Sequence, residues 1–124
     1  MGCIGAGFIM RDVHLVAYRE AGFNPVAIAS RTPAHAEAAA RLRGVRRVHQ
    51  SWQDLLADPE VEILDIAFPP EQQLAIIRQA ARQRHIRGIL AQKPLAMNYR
   101  EARETVEACR EAGVKLAVNS NIRL

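Results

Sequence analysis

The sequence predicts a doubly wound α/β fold of three layers, in which helices cover both faces of a parallel sheet of about six strands. Two observations lead to this prediction. Short apolar runs alternate with longer segments of helical periodicity along all 124 residues, which is typical of strands buried on both faces. The chain also begins with an apolar run that ends in Gly5-x-Gly7 and passes directly into a helical segment, as a phosphate-binding strand–turn–helix does.

The predicted strands are short and apolar, and they occupy residues 2–5, 25–30, 47–49, 62–67, 88–91 and 115–118. The predicted helices are longer and occupy residues 8–21, 33–43, 52–57, 71–84 and 99–112. Six strands separated by helices imply a mostly parallel sheet that is covered by helices on both faces and joined by right-handed crossovers. Such a sheet binds ligands at the carboxyl ends of its strands, beside strand one.

Residues at the helix ends support these limits. Thr32 offers a capping hydroxyl before Pro33, which suits the first helical position. Ser51 and Asn98 each precede an acidic residue by three positions, as in a capping box. The helices are predicted to end at Gly22, Gly44 and Gly113.

Composition excludes several classes of protein. Hydrophobic residues make up 49% of the chain, as in soluble globular proteins, but no apolar run approaches the roughly 20 residues that span a bilayer. We therefore expect no membrane partner.

Cys3 and Cys109 form no CxxC pair, which predicts two reduced thiols and a cytoplasmic protein. The four histidines lie on separate elements without metal-ligand spacing, so each is predicted to be a surface or packing residue.

The net charge of +4 comes from arginines that are spread over many elements, often beside acidic residues. Aromatic residues for base stacking are few, so we expect no nucleic-acid partner. Lysine is scarce, and only Lys93 and Lys115 occur. Lys93, which lies between Gln92 and Pro94 after an apolar run, is therefore a candidate for a chemical role.

The glycine turn is the first candidate site. Gly5 permits a tight turn and Gly7 lets the backbone approach a pyrophosphate, while the helix start offers N–H groups to the anion. The predicted pyrophosphate-binding residues are Gly5, Ala6, Gly7, Phe8 and Ile9. Met10 occupies the third position of G-x-G-x-x-G/A, where a small residue usually allows close packing of helix against strand.

Ser30, Arg31 and Thr32 follow the second strand, where an Asp or Glu would bind the ribose hydroxyls of NAD. No acid is present, and these side chains can bind a 2′-phosphate, so the sequence favours NADP over NAD. Alternatively, Arg31 is a solvated loop residue and Thr32 only a cap. After strand four, Phe68 and Pro69 are predicted to border the ribose–nicotinamide half of the cofactor, or to form only a rigid connection.

Gln92, Lys93 and Pro94 follow strand five. The Lys93 ammonium could polarise a substrate oxygen or assist proton movement during hydride transfer, with Pro94 stiffening its loop; the alternative is an exposed loop lysine. Asn121 follows strand six. Its amide can contact the nicotinamide ribose or carboxamide, or it can lie where the chain crosses into a second domain.

The motifs together resemble the Gfo/Idh/MocA family, which includes glucose–fructose oxidoreductase and inositol dehydrogenase. The residues that carry this resemblance are Gly5-Ala6-Gly7-Phe8-Ile9, Pro69-Pro70, Gln92-Lys93-Pro94-Leu95-Ala96 and Asn119-x-Asn121-x-Arg123. It covers the whole chain but only the amino-terminal half of a typical member. It implies a Rossmann domain that binds NAD(P), an activity on sugars, cyclitols or related polyols, and a place for Lys93 at the active site.

The resemblance also implies a second domain that supplies a catalytic His or Asp, most substrate contacts and the usual route to homo-oligomers. The family signature has Glu where this chain has Gln92. Its amide can orient Lys93 by hydrogen bonding but cannot raise the lysine pKa through opposite charge.

We therefore expect residues 1–124 to be the NAD(P)-binding Rossmann domain of an oxidoreductase, cut from a longer protein. The first strand has only about four residues before its turn, and the chain stops six residues after strand six. Such a domain would bind cofactor without turning over substrate. The alternative is a non-catalytic nucleotide-binding module that acts as a sensor or scaffold.

Overall fold

Six strands form one parallel sheet in the computed structural model, which describes residues 1–119. They are β1 (Gly2–Ile4), β2 (Ala27–Ala29), β3 (Arg47–Val48), β4 (Ile63–Ile66), β5 (Gly88–Gln92) and β6 (Lys115–Asn119). Their order across the sheet is β3-β2-β1-β4-β5-β6, so the direction of winding reverses between β1 and β4. The doubly wound fold is confirmed, and the strand limits differ from the predicted ones by no more than two residues.

Helices connect the strands. The first, α1, has a π-helical part, Ile9–His14, and an α-helical part, Leu15–Glu20; the others are α2 (Pro33–Arg43), α3 (Trp52–Leu56), α4 (Pro70–Ala81) and α5 (Tyr99–Ala112). Ser51 and Asn98 cap α3 and α5 as predicted, at 3.1 and 2.9 Å from the N–H groups that they accept. Thr32 is the N-cap residue before Pro33 as predicted, but its hydroxyl makes no capping bond, and the His35 N–H donates to the Thr32 carbonyl instead.

Two apolar clusters flank the sheet and form the core. One contains buried residues of α1 and α2, and the other contains buried residues of α3, α4 and α5. Successive strand residues face opposite clusters, as Cys3 and Ile4 do in β1, because side chains alternate along a strand. This arrangement makes the three layers that the sequence predicts.

Met10 lies in the first cluster and is fully buried. Its carbonyl accepts the Leu15 N–H, the i to i+5 hydrogen bond that defines a π-helical turn. Small residues of α2, Ala36 and Ala39, are buried in the same cluster. The small residue expected in the glycine motif is thus replaced by a large one, and alanines in the same cluster leave room for it.

A buried carboxylate anchors α1 to the sheet. One oxygen of Asp65, on β4, accepts hydrogen bonds from Tyr18 and from His14, whose Nδ1 lies 2.7 Å away. Burial, followed by the negative charge of Asp65, raises the pKa of Tyr18, so the phenol remains protonated and serves as the donor. His14 is therefore a buried anchor of the helix that follows the glycine turn.

The cysteines, possible metal ligands and helix lengths of residues 1–119 bear on other classes of site. Cys3 and Cys109 are buried free thiols. No group of three or more His, Cys, Asp or Glu side chains in this part of the chain could hold a metal ion. None of its helices has the length and apolar character needed to cross a membrane.

Replacement of Met10 by alanine should destabilise the protein strongly. Loss of a fully buried thioether leaves a cavity, and such truncations cost about 2–5 kcal/mol. Urea denaturation followed by circular dichroism would measure the change in the free energy of unfolding. Met97→Ala is the matched control, because Met97 is 61% exposed; equal effects of the two substitutions would contradict the assignment of Met10 to the core.

Candidate functional site

A cavity of about 310 Å³ opens at the carboxyl ends of β1, β2 and β4, where the winding of the sheet reverses. It is lined by Gly5, Ala6, Gly7, Ser30, Arg31, Thr32, His35, Ala67, Phe68 and Pro69. All of these except His35 and Ala67 belong to the residues that the sequence singles out. The fold thus brings three separate chain segments together at the place where such sheets bind ligands.

The two glycines of the turn have different roles. Gly5 has a φ of +115°, and a Cβ there would lie 2.8 Å from the Ala67 carbonyl oxygen, so this position admits no side chain. At Gly7 a Cβ would meet nothing within 4 Å. Gly7 also lines the cavity, and the absence of a side chain there suits close approach of a ligand to the backbone.

Helix α1 begins beside this space. Its N-cap, Phe8, makes no side-chain capping bond, and the first N–H groups of a helix have no partner in a preceding turn. Phe8 and Ile9 are 64% and 41% exposed and do not line the cavity. Their predicted contribution to pyrophosphate binding can therefore come only from backbone N–H groups, which stays a prediction.

The loop after β2 forms a second wall. The Ser30 hydroxyl donates to the Thr32 carbonyl at 2.6 Å, so Ser30 must exchange this bond before it can donate to a phosphate. The guanidinium carbon of Arg31 lies 5.9 Å from the centre of the Phe68 ring, within the range of a cation–π contact. Arg31 and Phe68 both line the cavity, so this contact brings the Arg31 charge close to the segment that follows β4.

The electrostatic character of the lining favours anions. Arg31 and His35 are its basic side chains, and no carboxylate belongs to the lining within residues 1–119. His35 lies in the first turn of α2 and is exposed, in line with its prediction as a surface or packing residue. The sequence did not predict that it would border the cavity. A glycine turn, an uncapped helix start and a lining without acids together fit a dinucleotide phosphate.

Lys93 lies elsewhere along the same edge of the sheet. It follows β5, is exposed, and has no hydrogen-bond or ion-pair partner in the part of the chain that the structure describes. Gln92, Lys93 and Pro94 do not line the cavity. That these three residues contact a bound cofactor therefore stays a prediction.

The expectation that Gln92 orients Lys93 by a side-chain hydrogen bond is not met. Gln92 Nε2 is buried and has no partner among residues 1–119. Instead, the buried Gln73 of α4 bonds to the backbone on both sides of Lys93. No sequence signal identified Gln73, because its partners lie 19 to 22 positions further along the chain.

Pro69 lines the cavity and also precedes the first residue of α4, so the alternatives of ligand wall and rigid connection are both compatible with its position. Asn121 lies outside the described residues.

Alanine substitutions at Gly5 and Gly7 should have opposite consequences. Gly5→Ala places a methyl group against the Ala67 carbonyl in a backbone conformation that disfavours side chains, so thermal unfolding should occur at a clearly lower temperature. Gly7→Ala should leave the unfolding temperature nearly unchanged, because a Cβ there meets nothing within 4 Å. It should weaken NADH binding, measured by nicotinamide fluorescence, because a methyl group on this lining residue hinders close approach of the pyrophosphate to the backbone. Tight binding by a folded Gly7→Ala variant would contradict the assignment of the turn.

Comparison with known proteins agrees with this geometry. Residues 1–120 match the family model described as an oxidoreductase family with an NAD-binding Rossmann fold, GFO_IDH_MocA. The chain is 35% identical to 1,5-anhydro-D-fructose reductase from Ensifer adhaerens, and the match covers 98% of this chain and 36% of that protein. The chain therefore spans about a third of the length of this curated relative.

Solved structures show the same relation. An NAD-binding oxidoreductase from Klebsiella pneumoniae superimposes with a TM-score of 0.87 and 31% identity, over 95% of this chain and 33% of that one. Levoglucosan dehydrogenase in complex with NADH and levoglucosan gives a TM-score of 0.84 and 28% identity, over 94% and 33% of the two chains. This protein belongs to the Gfo/Idh/MocA oxidoreductase family, and residues 1–120 correspond to its NAD-binding Rossmann domain.

Proposed function

We propose that this chain is the cofactor domain of a longer oxidoreductase that transfers hydride between a nicotinamide dinucleotide and a sugar, cyclitol or related polyol. The observation that carries the proposal is the cavity at the reversal of the sheet, which joins the glycine turn to a basic wall without acids. The substrate class is supported by relatives whose names give an anhydro sugar and levoglucosan.

The backbone of the glycine turn would hold the pyrophosphate. Gly5 fixes the turn, Gly7 leaves room for the anion, and the start of α1 offers N–H groups from Phe8 and Ile9. Phe68 and Pro69 would border the ribose–nicotinamide half of the cofactor. When bound, the cofactor supplies or accepts the hydride, and the protein provides orientation and electrostatic support.

The proposed cofactor preference is NADP over NAD. Arg31 lines the cavity and lies near the Phe68 ring, and a guanidinium at this place can pair with a 2′-phosphate. Ser30 and Thr32 can add hydroxyl donors once Ser30 releases the Thr32 carbonyl. No lining carboxylate in the described part of the chain would repel that phosphate.

Lys93 is the proposed catalytic residue. Its ammonium lacks a protein partner among residues 1–119, so its donors are available to a substrate oxygen. There it would stabilise negative charge that develops on the oxygen, or move a proton. Gln92, Pro94 and Asn121 are proposed to complete the nicotinamide side of the site.

The remaining proposals concern the whole protein. A second domain would supply the substrate contacts, a catalytic His or Asp and the association into homo-oligomers, and the protein would act in the cytoplasm. A non-catalytic nucleotide-binding module is the alternative. Gln92 favours it, since the chain has a neutral amide where the family signature has a carboxylate. Turnover of a polyol by the full-length protein would exclude it.

Cofactor titrations test the preference directly. Fluorescence titration of residues 1–124 should show tighter binding of NADPH than of NADH. Arg31→Asp should weaken NADPH binding about 10- to 100-fold, as expected from loss of a charged hydrogen bond worth about 1.5–3 kcal/mol, and should affect NADH much less. Arg110→Asp, an exposed arginine on α5, is the matched control. Equal affinities for the two cofactors in the unaltered chain would overturn the preference.

A substitution of Lys93 tests the catalytic proposal in the full-length protein. Lys93→Met should lower kcat by about 10²- to 10⁴-fold, the usual contribution of a positioned acid or base, while the Kd for the cofactor changes little. Lys115→Met removes the only other lysine of the chain, on β6, and should leave kcat unchanged. A Lys93→Met enzyme as active as the Lys115→Met control would refute the assignment.

A further inference from the structure

Gln73 is a buried polar side chain in the first turn of α4, and the proposed cofactor site does not use it. Its side chain is fully buried, among apolar neighbours such as Ile76 and Ile77. Burial of an amide is unfavourable unless its hydrogen bonds are made. Its partners therefore show which part of the structure this residue holds.

All of these partners belong to the loop that carries Lys93. The Gln73 Oε1 accepts the Gln92 N–H at 3.2 Å. Its Nε2 lies 2.9 Å from the Pro94 carbonyl oxygen, 3.1 Å from that of Gln92 and 3.3 Å from that of Leu95. A single side chain thus bonds to the backbone before and after Lys93.

The loop has few other attachments. Within residues 1–119, Gln73 is the only side chain that forms hydrogen bonds with residues 92–95. Leu95 adds an apolar contact with the main core, whereas Lys93 and Pro94 are exposed. The Lys93–Pro94 peptide bond, within this loop, is cis.

We infer that Gln73 is a positioning residue for Lys93: its amide fixes the backbone from Gln92 to Leu95 and thereby sets where the lysine ammonium is presented. The inference rests on the proposed catalytic role of Lys93. Glutamine suits the task because one end of its amide accepts an N–H while the other donates to carbonyls. Methionine would fill the same volume with neither function.

A double-mutant cycle in the full-length enzyme tests this inference. Gln73→Met should lower kcat about 10- to 100-fold, because small displacements of a reacting group are costly, and should change the Kd for the cofactor less than twofold. In a Lys93→Met background the same substitution should have almost no further effect on kcat. A purely structural role of Gln73 would instead give effects that multiply.

A second readout does not depend on activity. Hydrogen exchange measured by mass spectrometry on the full-length protein should show faster exchange across residues 88–97 in Gln73→Met, since the Gln92 N–H loses its acceptor. Gln79→Met is the matched control, because Gln79 is an exposed glutamine on the same helix. It should change neither kcat nor exchange in this segment.

Gln73→Glu provides a conservative variant and a substitute if Gln73→Met does not fold. A carboxylate still accepts the Gln92 N–H but repels the three carbonyl oxygens, whereas the protonated acid can donate to one of them. Burial raises a carboxyl pKa above its usual value of about 4.3, so the group becomes protonated as pH falls. The kcat of Gln73→Glu relative to the unaltered enzyme should therefore recover partly at mildly acidic pH.

The outcomes separate the two proposals. Full activity of Lys93→Met would overturn both the catalytic proposal and this inference. A strong defect in Lys93→Met combined with normal kcat and exchange in the Gln73 variants would overturn only the inference. Multiplying effects in the cycle would also overturn it, whereas non-additive effects with faster loop exchange would support it.

Discussion

The close approach of the β1–α1 turn to the end of β4 is the constraint on which the candidate site depends. The space for a Cβ at Gly5 is occupied by the Ala67 carbonyl. Backbone hydrogen bonds tie this region to both neighbouring strands, since the Gly5 N–H donates to Ala29 and the Ala67 N–H donates to Ile4. The turn is therefore fixed between the loops after β2 and β4. Those loops become the walls of the cavity because the winding of the sheet reverses at β1.

Buried polar side chains hold the elements that carry the site. Asp65 fixes α1 through Tyr18 and His14, and α1 in turn places the glycine turn. Gln73 fixes the loop of Lys93 by contacts that span the gap between α4 and β5. Both oxygen and nitrogen of the Gln73 amide have partners, so its burial is compensated. At Asp65 only one oxygen is paired, and the other is buried without a partner among residues 1–119.

The electrostatic character of the cavity depends both on its basic side chains and on the lack of carboxylates in its described lining. Its described lining contains Arg31 and His35 but no carboxylate, so the charge of the lining favours anions. The Arg31 contact with Phe68 links the segments after β2 and β4, and it would have to adjust when a ligand enters. The chain spans about a third of the length of its relatives. The features of the cavity therefore bear on cofactor binding, and substrate recognition is proposed for a second domain of a longer protein.

The sequence by itself determined the alternation of strands and helices, the glycine turn and the loops that meet at the cavity. These features depend on local periodicity, on backbone freedom at Gly5 and on the rule that parallel strands bring their carboxyl ends to one edge. Only the tertiary structure decided the remainder. Met10 fits because Ala36 and Ala39 are buried in the same cluster, His14 meets a carboxylate 51 positions away, and Gln73 holds a loop about 20 positions further on. Such contacts leave no periodic trace in the chain, because they arise from which elements the fold places side by side.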